Sequence, residues 1–235
     1  MGAADSLAGK TALVTGGARR LGAAICRELA ARGAAVAVHY RQSEAEAIAM
    51  NRVLKHGVFS LRGDLGDPRE REWIFREAAE WMGRVDILVN NAARFGRDGE
   101  IDPAELRAVN VAAPLDLAAR VAAQPGGGCV IHVLDSRIAQ PEAGAFRGYA
   151  ATKRELAESV ARLAREWAPA TRVNGVAPGP ALAPEGVREA AGDLPLGRRP
   201  TPEDVARAVA FLAESAAVTG QILFIDGGQH LAGPA

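Results

Sequence analysis

Short apolar runs alternate along this chain with longer segments in which apolar residues recur every three or four positions, from about residue 10 to residue 225. Residues 10–16 (KTALVTG) form the first run, rich in β-branched residues and closed by a glycine pair. Leu21, Ile25 and Leu29 then share one face of a helix expected over 21–32. A strand over 34–39 (AAVAVH) completes a βαβ unit whose strands are almost continuously apolar, as a parallel sheet covered on both faces requires. The same periodicities predict helices over 43–55, 68–82, 103–123, 149–167 and 201–213, and strands over 58–61, 85–89, 129–134, 172–177 and 221–225. Ser43 and Thr201 are the expected N-caps of two helices, and Pro68 falls in the first turn of another. Residues 178–202 are rich in proline, with a short helix expected over 184–191; the length of this stretch suits a lid over a site, at about 179–200. With no internal repeat, low-complexity segment or linker, the pattern predicts one α/β domain over residues 1–235, a single doubly wound parallel sheet with helices on both faces.

Composition narrows the partners. The chain has 235 residues, 49% of them hydrophobic, which is enough for one large core. Lysine plus arginine equal aspartate plus glutamate at 28 each, so no broad basic field is available for nucleic acid or an anionic membrane, and ligand affinity has to be local. Cys26 and Cys129 suit small buried thiols in a reducing compartment rather than a disulfide framework or a metal site. No apolar run reaches the roughly 18 residues of a membrane helix, and residues 1–9 lack a signal-peptide pattern, so a cytoplasmic protein is expected.

Three stretches carry candidate chemistry. Tyr149-Ala-Ala-Thr-Lys153 puts a phenol and an ammonium four residues apart on one helix face. A lysine charge there favours phenolate, so the tyrosine pKa is expected to fall, with Tyr149 as proton donor and Lys153 as its tuner. Between the first strand and helix, Thr15-Gly16-Gly17-Ala18-Arg19-Arg20-Leu21-Gly22 lets the backbone approach a pyrophosphate at a helix N-terminus, as in a Rossmann-type fold. The second strand ends in His39-Tyr40-Arg41-Gln42-Ser43 with no acidic residue at its tip. An aspartate there would hold both ribose hydroxyls of NAD and repel a 2′-phosphate, whereas Arg41 and Ser43 offer it charge and donors; the expected cofactor is therefore NADPH.

The order of glycine turn, Asn90-Asn91-Ala92, Asn110 and Tyr149-x-x-x-Lys153 resembles the short-chain dehydrogenase/reductase family over essentially residues 10–230. The resemblance implies a cofactor site made by Gly16, Arg19, Arg20 and Leu21 at the turn, and by His39, Tyr40, Arg41 and Ser43 at the second strand. Asp64 and Leu65 would contact adenine, with Asn91, Ala92, Lys153, Pro178 and Gly179 toward the nicotinamide. It also implies that Asn110 supports a proton-relay water beside Lys153, that the segment around Asn174 lines the nicotinamide side, and that Asp226-Gly227-Gly228 forms the usual C-terminal turn.

Three departures narrow the substrate. Arg20 replaces the middle glycine of the usual turn, Asp135 stands where most members have a hydrogen-bonding serine, and Phe95 lies close enough to the nicotinamide end to stack on a flat ring. An ionised carboxylate cannot donate to a ketone oxygen but can pair with N–H groups, which suits reduction of C=N better than C=O. These residues resemble the pteridine reductase branch, and residues 218–230 resemble bacterial dihydromonapterin reductases in particular. That branch implies a dihydropterin substrate contacted by Arg20, Phe95, Asp135 and Tyr149, catalysis by Asp135, Tyr149, Lys153 and Asn110, and a homotetramer built on the helices around 104–123 and 150–167. Ser136 remains the alternative to Asp135 as the inward-facing group. A carbonyl reductase acting on a 3-oxoacyl thioester or a sugar, and a non-catalytic NADP(H)-sensing regulator, remain the alternative functions.

Overall fold

A computed structural model describes residues 6–54, 58–139, 144–181 and 194–231. Seven strands, β1 (Thr11–Val14), β2 (Ala35–Tyr40), β3 (Val58–Arg62), β4 (Ile87–Asn90), β5 (Gly128–Val133), β6 (Thr171–Pro178) and β7 (Ile222–Ile225), make one sheet in the order β3-β2-β1-β4-β5-β6-β7. Every pairing is parallel, and Val14 at the end of β1 lies between Val38 of β2 and Val89 of β4. The chain leaves β3 at one edge and re-enters beside β1 at β4, so the connections diverge at the carboxyl ends of β1 and β4. A crevice at such a switch point is where open α/β sheets bind ligands.

Both faces of the sheet are buried. Helices α1 (Arg20–Ala31), α2 (Glu44–Val53) and α7 (Pro202–Glu214) cover one face through Ile25, Leu29, Met50 and Val209. Helices α3 (Pro68–Met82), α5 (Ala113–Ala122) and α6 (Arg147–Glu166) cover the other through Ile74, Leu117 and Leu163. Along β5, Cys129, Ile131 and Val133 face the first layer while Val130 faces the second, the period-two alternation expected of a strand between two helical layers. Thr201 caps α7 in a reciprocal box, its hydroxyl accepting from Asp204 N at 3.1 Å while Asp204 Oδ2 accepts from Thr201 N at 2.9 Å.

Some expected elements differ. The helix expected over 103–123 is three pieces: α4 (Pro103–Arg107), a π-turn at Ala108–Ala112, and α5. The wide turn buries the Asn110 side chain completely, and such bulges are frequent at functional sites. Ser43 occupies the N-cap position of α2 without a side-chain cap hydrogen bond. The short helix expected over 184–191, and most of the expected lid, lie outside the described residues.

Candidate active site

The turn after β1 is fastened from three sides. Thr15 Oγ1 accepts from the backbone N–H groups of Asn91 at 2.9 Å and Ala92 at 3.0 Å, while Asn91 Nδ2 donates to the carbonyls of Thr15 at 2.9 Å and Gly16 at 3.1 Å. A Cβ at Gly22 would lie 2.1 Å from the Gly16 carbonyl oxygen, so α1 packs onto the turn more closely than any other residue allows. From behind, the buried His39 ring accepts from Gly16 N through Nδ1 at 3.1 Å and donates to the Gly63 carbonyl through Nε2 at 3.1 Å. Both bonds need a neutral ring, and burial pushes its pKa down to about 4. The resemblance places His39 in the cofactor site, and both of its ring nitrogens are used in shaping the turn.

Arg20, the first residue of α1, adopts the left-handed conformation at φ 51, an arginine where glycine would be unstrained. Arg19 and Arg20 are exposed at this helix start, whereas Leu21 and Tyr40 are half-buried against the core on the α1 side. Leu65 is buried in the opposite core. At the tip of β2 the Arg41 guanidinium lies 3.3 Å from the Asp64 carboxylate. The two line a cavity of about 550 Å³ with Gln42, Arg62, Arg94 and Glu105; Ser43, half-buried, follows on the same loop. Arg94 is paired with Glu105 across the cavity. Pro178 ends β6, and Gly179 N donates to Ile225 O at 3.0 Å so closely that a Cβ there would meet Asp226 at 2.7 Å.

At the other end of the crevice, α6 brings Tyr149 and Lys153 to the mouth of β5. The buried Tyr149 hydroxyl donates to Asp135 Oδ2 at 3.2 Å. Lys153, also buried, donates from Nζ to the Val133 carbonyl at 2.8 Å and lies 5.9 Å from the Tyr149 ring centroid. Burial, followed by the Asp135 charge, pushes the phenol well above its ordinary pKa, and burial lowers Lys153 to about 8. The expectation that Lys153 lowers the phenol is therefore corrected: the hydroxyl is bound to a carboxylate just past the end of β5, whose charge opposes phenolate, and desolvation works in the same direction.

Asp135 and Ser136 point to different places. Ser136 is buried and donates to Gln229 Oε1 at 3.0 Å, while Asp135 faces the phenol. Asn110 does not reach Lys153 through any described hydrogen bond; it accepts from Arg94 N at 2.8 Å and donates to Arg94 O at 2.9 Å and Thr152 Oγ1 at 3.1 Å. Phe95, 55% exposed, meets the Tyr149 ring edge to face at 4.8 Å, but stacks on Phe146 at 4.9 Å. The Phe95 ring therefore already has an aromatic neighbour on one side. Asn174 donates to Val218 O at 2.9 Å and accepts from Gln221 N at 3.0 Å, tying β6 to the start of β7, and buried Asp226 accepts from His230 Nδ1 at 2.8 Å.

The chain is similar to known proteins over nearly its whole length. The family model described as Enoyl-(Acyl carrier protein) reductase matches residues 16–230. A short-chain dehydrogenase/reductase from Serratia marcescens BCRC 10948 superposes with a TM-score of 0.85 at 33% identity, covering 95% of this chain and 98% of that one. The chain belongs to the short-chain dehydrogenase/reductase family. Among other members, FolM alternative dihydrofolate reductase 1 from Brucella canis, complexed with NADP, matches with a TM-score of 0.90 at 33% identity over 99% of this chain and 98% of its own. A cis-4-hydroxycyclohexanecarboxylate dehydrogenase from Sinomonas cyclohexanicum is 34% identical over 246 residues, 95% of this chain and 98% of its own length. Relatives with different named substrates thus share the scaffold, which is an oxidoreductase fold. Among the described residues no helix is long and apolar enough to cross a membrane.

Two residues of the candidate site stand outside the expectations from sequence. Thr152 accepts from Asn110 and donates to the Tyr149 carbonyl at 2.7 Å, locking the first turns of α6 to the π-turn; its place between Tyr149 and Lys153 was the available signal. Arg137 donates to Asp135 Oδ2 at 2.9 Å, and no periodicity marks it.

Proposed function

We propose that this dehydrogenase/reductase reduces the C=N bond of a dihydropterin with NADPH as cofactor, within one NADP-binding domain spanning residues 1–235. The observation that carries the reading is that a carboxylate, Asp135, rather than the Ser136 hydroxyl, faces Tyr149. A carboxylate at that point accepts from the N–H edge of a nitrogen heterocycle, and has no proton to give a ketone oxygen. The names of the Brucella relative, a dihydrofolate reductase complexed with NADP, support the same chemistry.

The residues fit NADPH. The close approach of α1 to Gly16 leaves turn amides for a pyrophosphate, with Arg19 and Arg20 exposed beside them. Arg41 stands at the tip of β2, in a cavity large enough for one end of a dinucleotide, and would take the 2′-phosphate in place of its present contact with Asp64. Asp64 and Leu65 would bound the adenine, and Asn91, Ala92, Pro178 and Gly179 the nicotinamide end. When bound, the cofactor supplies the hydride.

The chain's own residues supply the proton and the orientation. Tyr149 keeps its proton at neutral pH and is placed to pass it to a ring nitrogen. Lys153 offsets the phenolate left behind, and Asn110 and Thr152 hold α6 in place for both. Phe95 and Arg20 bound the substrate. We assign the chain to the cytoplasm, as a homotetramer packed through the helices around 104–123 and 150–167, with a lid at 179–200. Carbonyl reduction would require Ser136 as donor, and a purely sensing role would leave the Tyr149–Lys153 pair without a use.

A crystal structure with NADP and a pterin-like inhibitor tests this reading. An inhibitor N–H group on Asp135 is the expected result; Ser136 facing the ring, with Asp135 turned away, would contradict it.

A further inference from the structure

Arg137 meets the proton-donor pair directly. Its Nη1 donates at 2.9 Å to Oδ2 of Asp135, the oxygen that also takes the Tyr149 hydroxyl at 3.2 Å, and its backbone N–H donates to Oδ1 at 2.9 Å. The guanidinium carbon lies 5.7 Å from the Phe95 ring centroid and 5.3 Å from that of Phe146. Those two rings are stacked at 14°, and Phe95 in turn abuts Tyr149. The cation therefore rests on an aromatic shelf that shares an edge with the proton donor.

We propose that Arg137 is a positioning residue for the proton transfer: it fixes the Asp135 carboxylate on the phenol and offsets the charge that would otherwise hold the phenolic proton. A lone carboxylate beside Tyr149 opposes phenolate, because two negative charges would come to share one desolvated site. A guanidinium on the same oxygen removes part of that penalty while the short bond fixes the orientation. The causes acting on the Tyr149 proton have these signs, Asp135 raising its pKa and Arg137 lowering it. A carboxylate has about four acceptor directions. Two bonds on Oδ2 and one on Oδ1 leave a direction on Oδ1 for a substrate N–H. In this arrangement Arg137 does part of what the sequence assigned to Lys153.

The inference rests on Tyr149 as the proton donor and not on which substrate is reduced, so it is tested on whichever substrate the wild-type enzyme turns over. Failure to reduce dihydropterins would count against the proposed function alone. Arg137→Met keeps an unbranched apolar stem and removes the charge; Arg137→Lys restores the charge. The expected result for Arg137→Met is a fall in kcat of about 10-fold or more, with the KM for NADPH and the thermal midpoint close to wild type and a larger solvent deuterium isotope effect on kcat. Arg137→Lys should recover much of the lost turnover. An unchanged kcat and isotope effect in Arg137→Met would overturn the proposal. So would equal loss in both variants accompanied by equal loss of thermal stability, the mark of a residue that only supports the fold.

Discussion

The Tyr149 hydroxyl donates to Oδ2 of Asp135 across 3.2 Å, while Lys153 Nζ turns to the Val133 carbonyl at 2.8 Å. The proposed proton donor is thus bound to a carboxylate, and Asp135 and Arg137 act on its ionisation in opposite directions. Replacing Asp135 by asparagine removes the charge that opposes phenolate, so the phenol should ionise at lower pH. The chain has two tyrosines, so in a Tyr40→Phe background the phenolate absorbance near 295 nm reports Tyr149 alone. Asp135→Asn should move its onset down; an upward movement would show that the carboxylate is not the dominant neighbour.

Tyr149→Phe should lower turnover by on the order of 10²-fold or more, because the proposed general acid is lost while the ring remains. NADPH affinity should change little. Steady-state kinetics with a fluorescence titration of the cofactor checks both halves, and full activity in the variant would assign the proton to another group.

Lys153 makes stability depend on pH. Below pH 8 the ammonium is present in both states and the folded chain bears the whole cost of burying it. Between about 8 and the ordinary 10.5 the folded state has released a proton that the unfolded state keeps, so stability rises with pH through that window. Lys153→Met should therefore stabilise the fold at pH 7 by on the order of 3 kcal/mol, less roughly 1 kcal/mol for the lost bond to Val133. Urea unfolding from pH 7 to 10.5 should show the gap to wild type narrowing; a gap independent of pH would mean that the amine is not buried as a charge.

If the guanidinium takes the 2′-phosphate as proposed, Arg41→Ala should weaken NADPH by about 10-fold or more and NADH far less. Equilibrium binding of the two cofactors measures this, and equal losses would remove Arg41 from phosphate recognition.

The strands and most helices were legible because each is apolar at a period set by its own backbone, and the fold then follows from their alternation. The π-turn was not, since residues 103–123 keep a helical composition while the backbone widens around Asn110. The sequence leaves the inward-facing group open between Asp135 and Ser136, because β5 ends at Val133, after which strand alternation no longer decides. The sign at Tyr149 is not legible in the sequence for a related reason: Lys153 is four residues away along one helix, whereas the burial and the Asp135 charge that raise the phenol come from packing at the end of β5. Arg137 was invisible for the same reason, its partners being an aspartate two residues back and rings contributed by residues 95 and 146.

The most direct measurement is the rate of NADPH oxidation, followed at 340 nm, with a dihydropterin and with an acetoacetyl thioester under the same conditions. Oxidation with the dihydropterin that is lost in Tyr149→Phe, and little with the thioester, is the expected result. Brisk oxidation with the thioester and none with any dihydropterin would contradict the account.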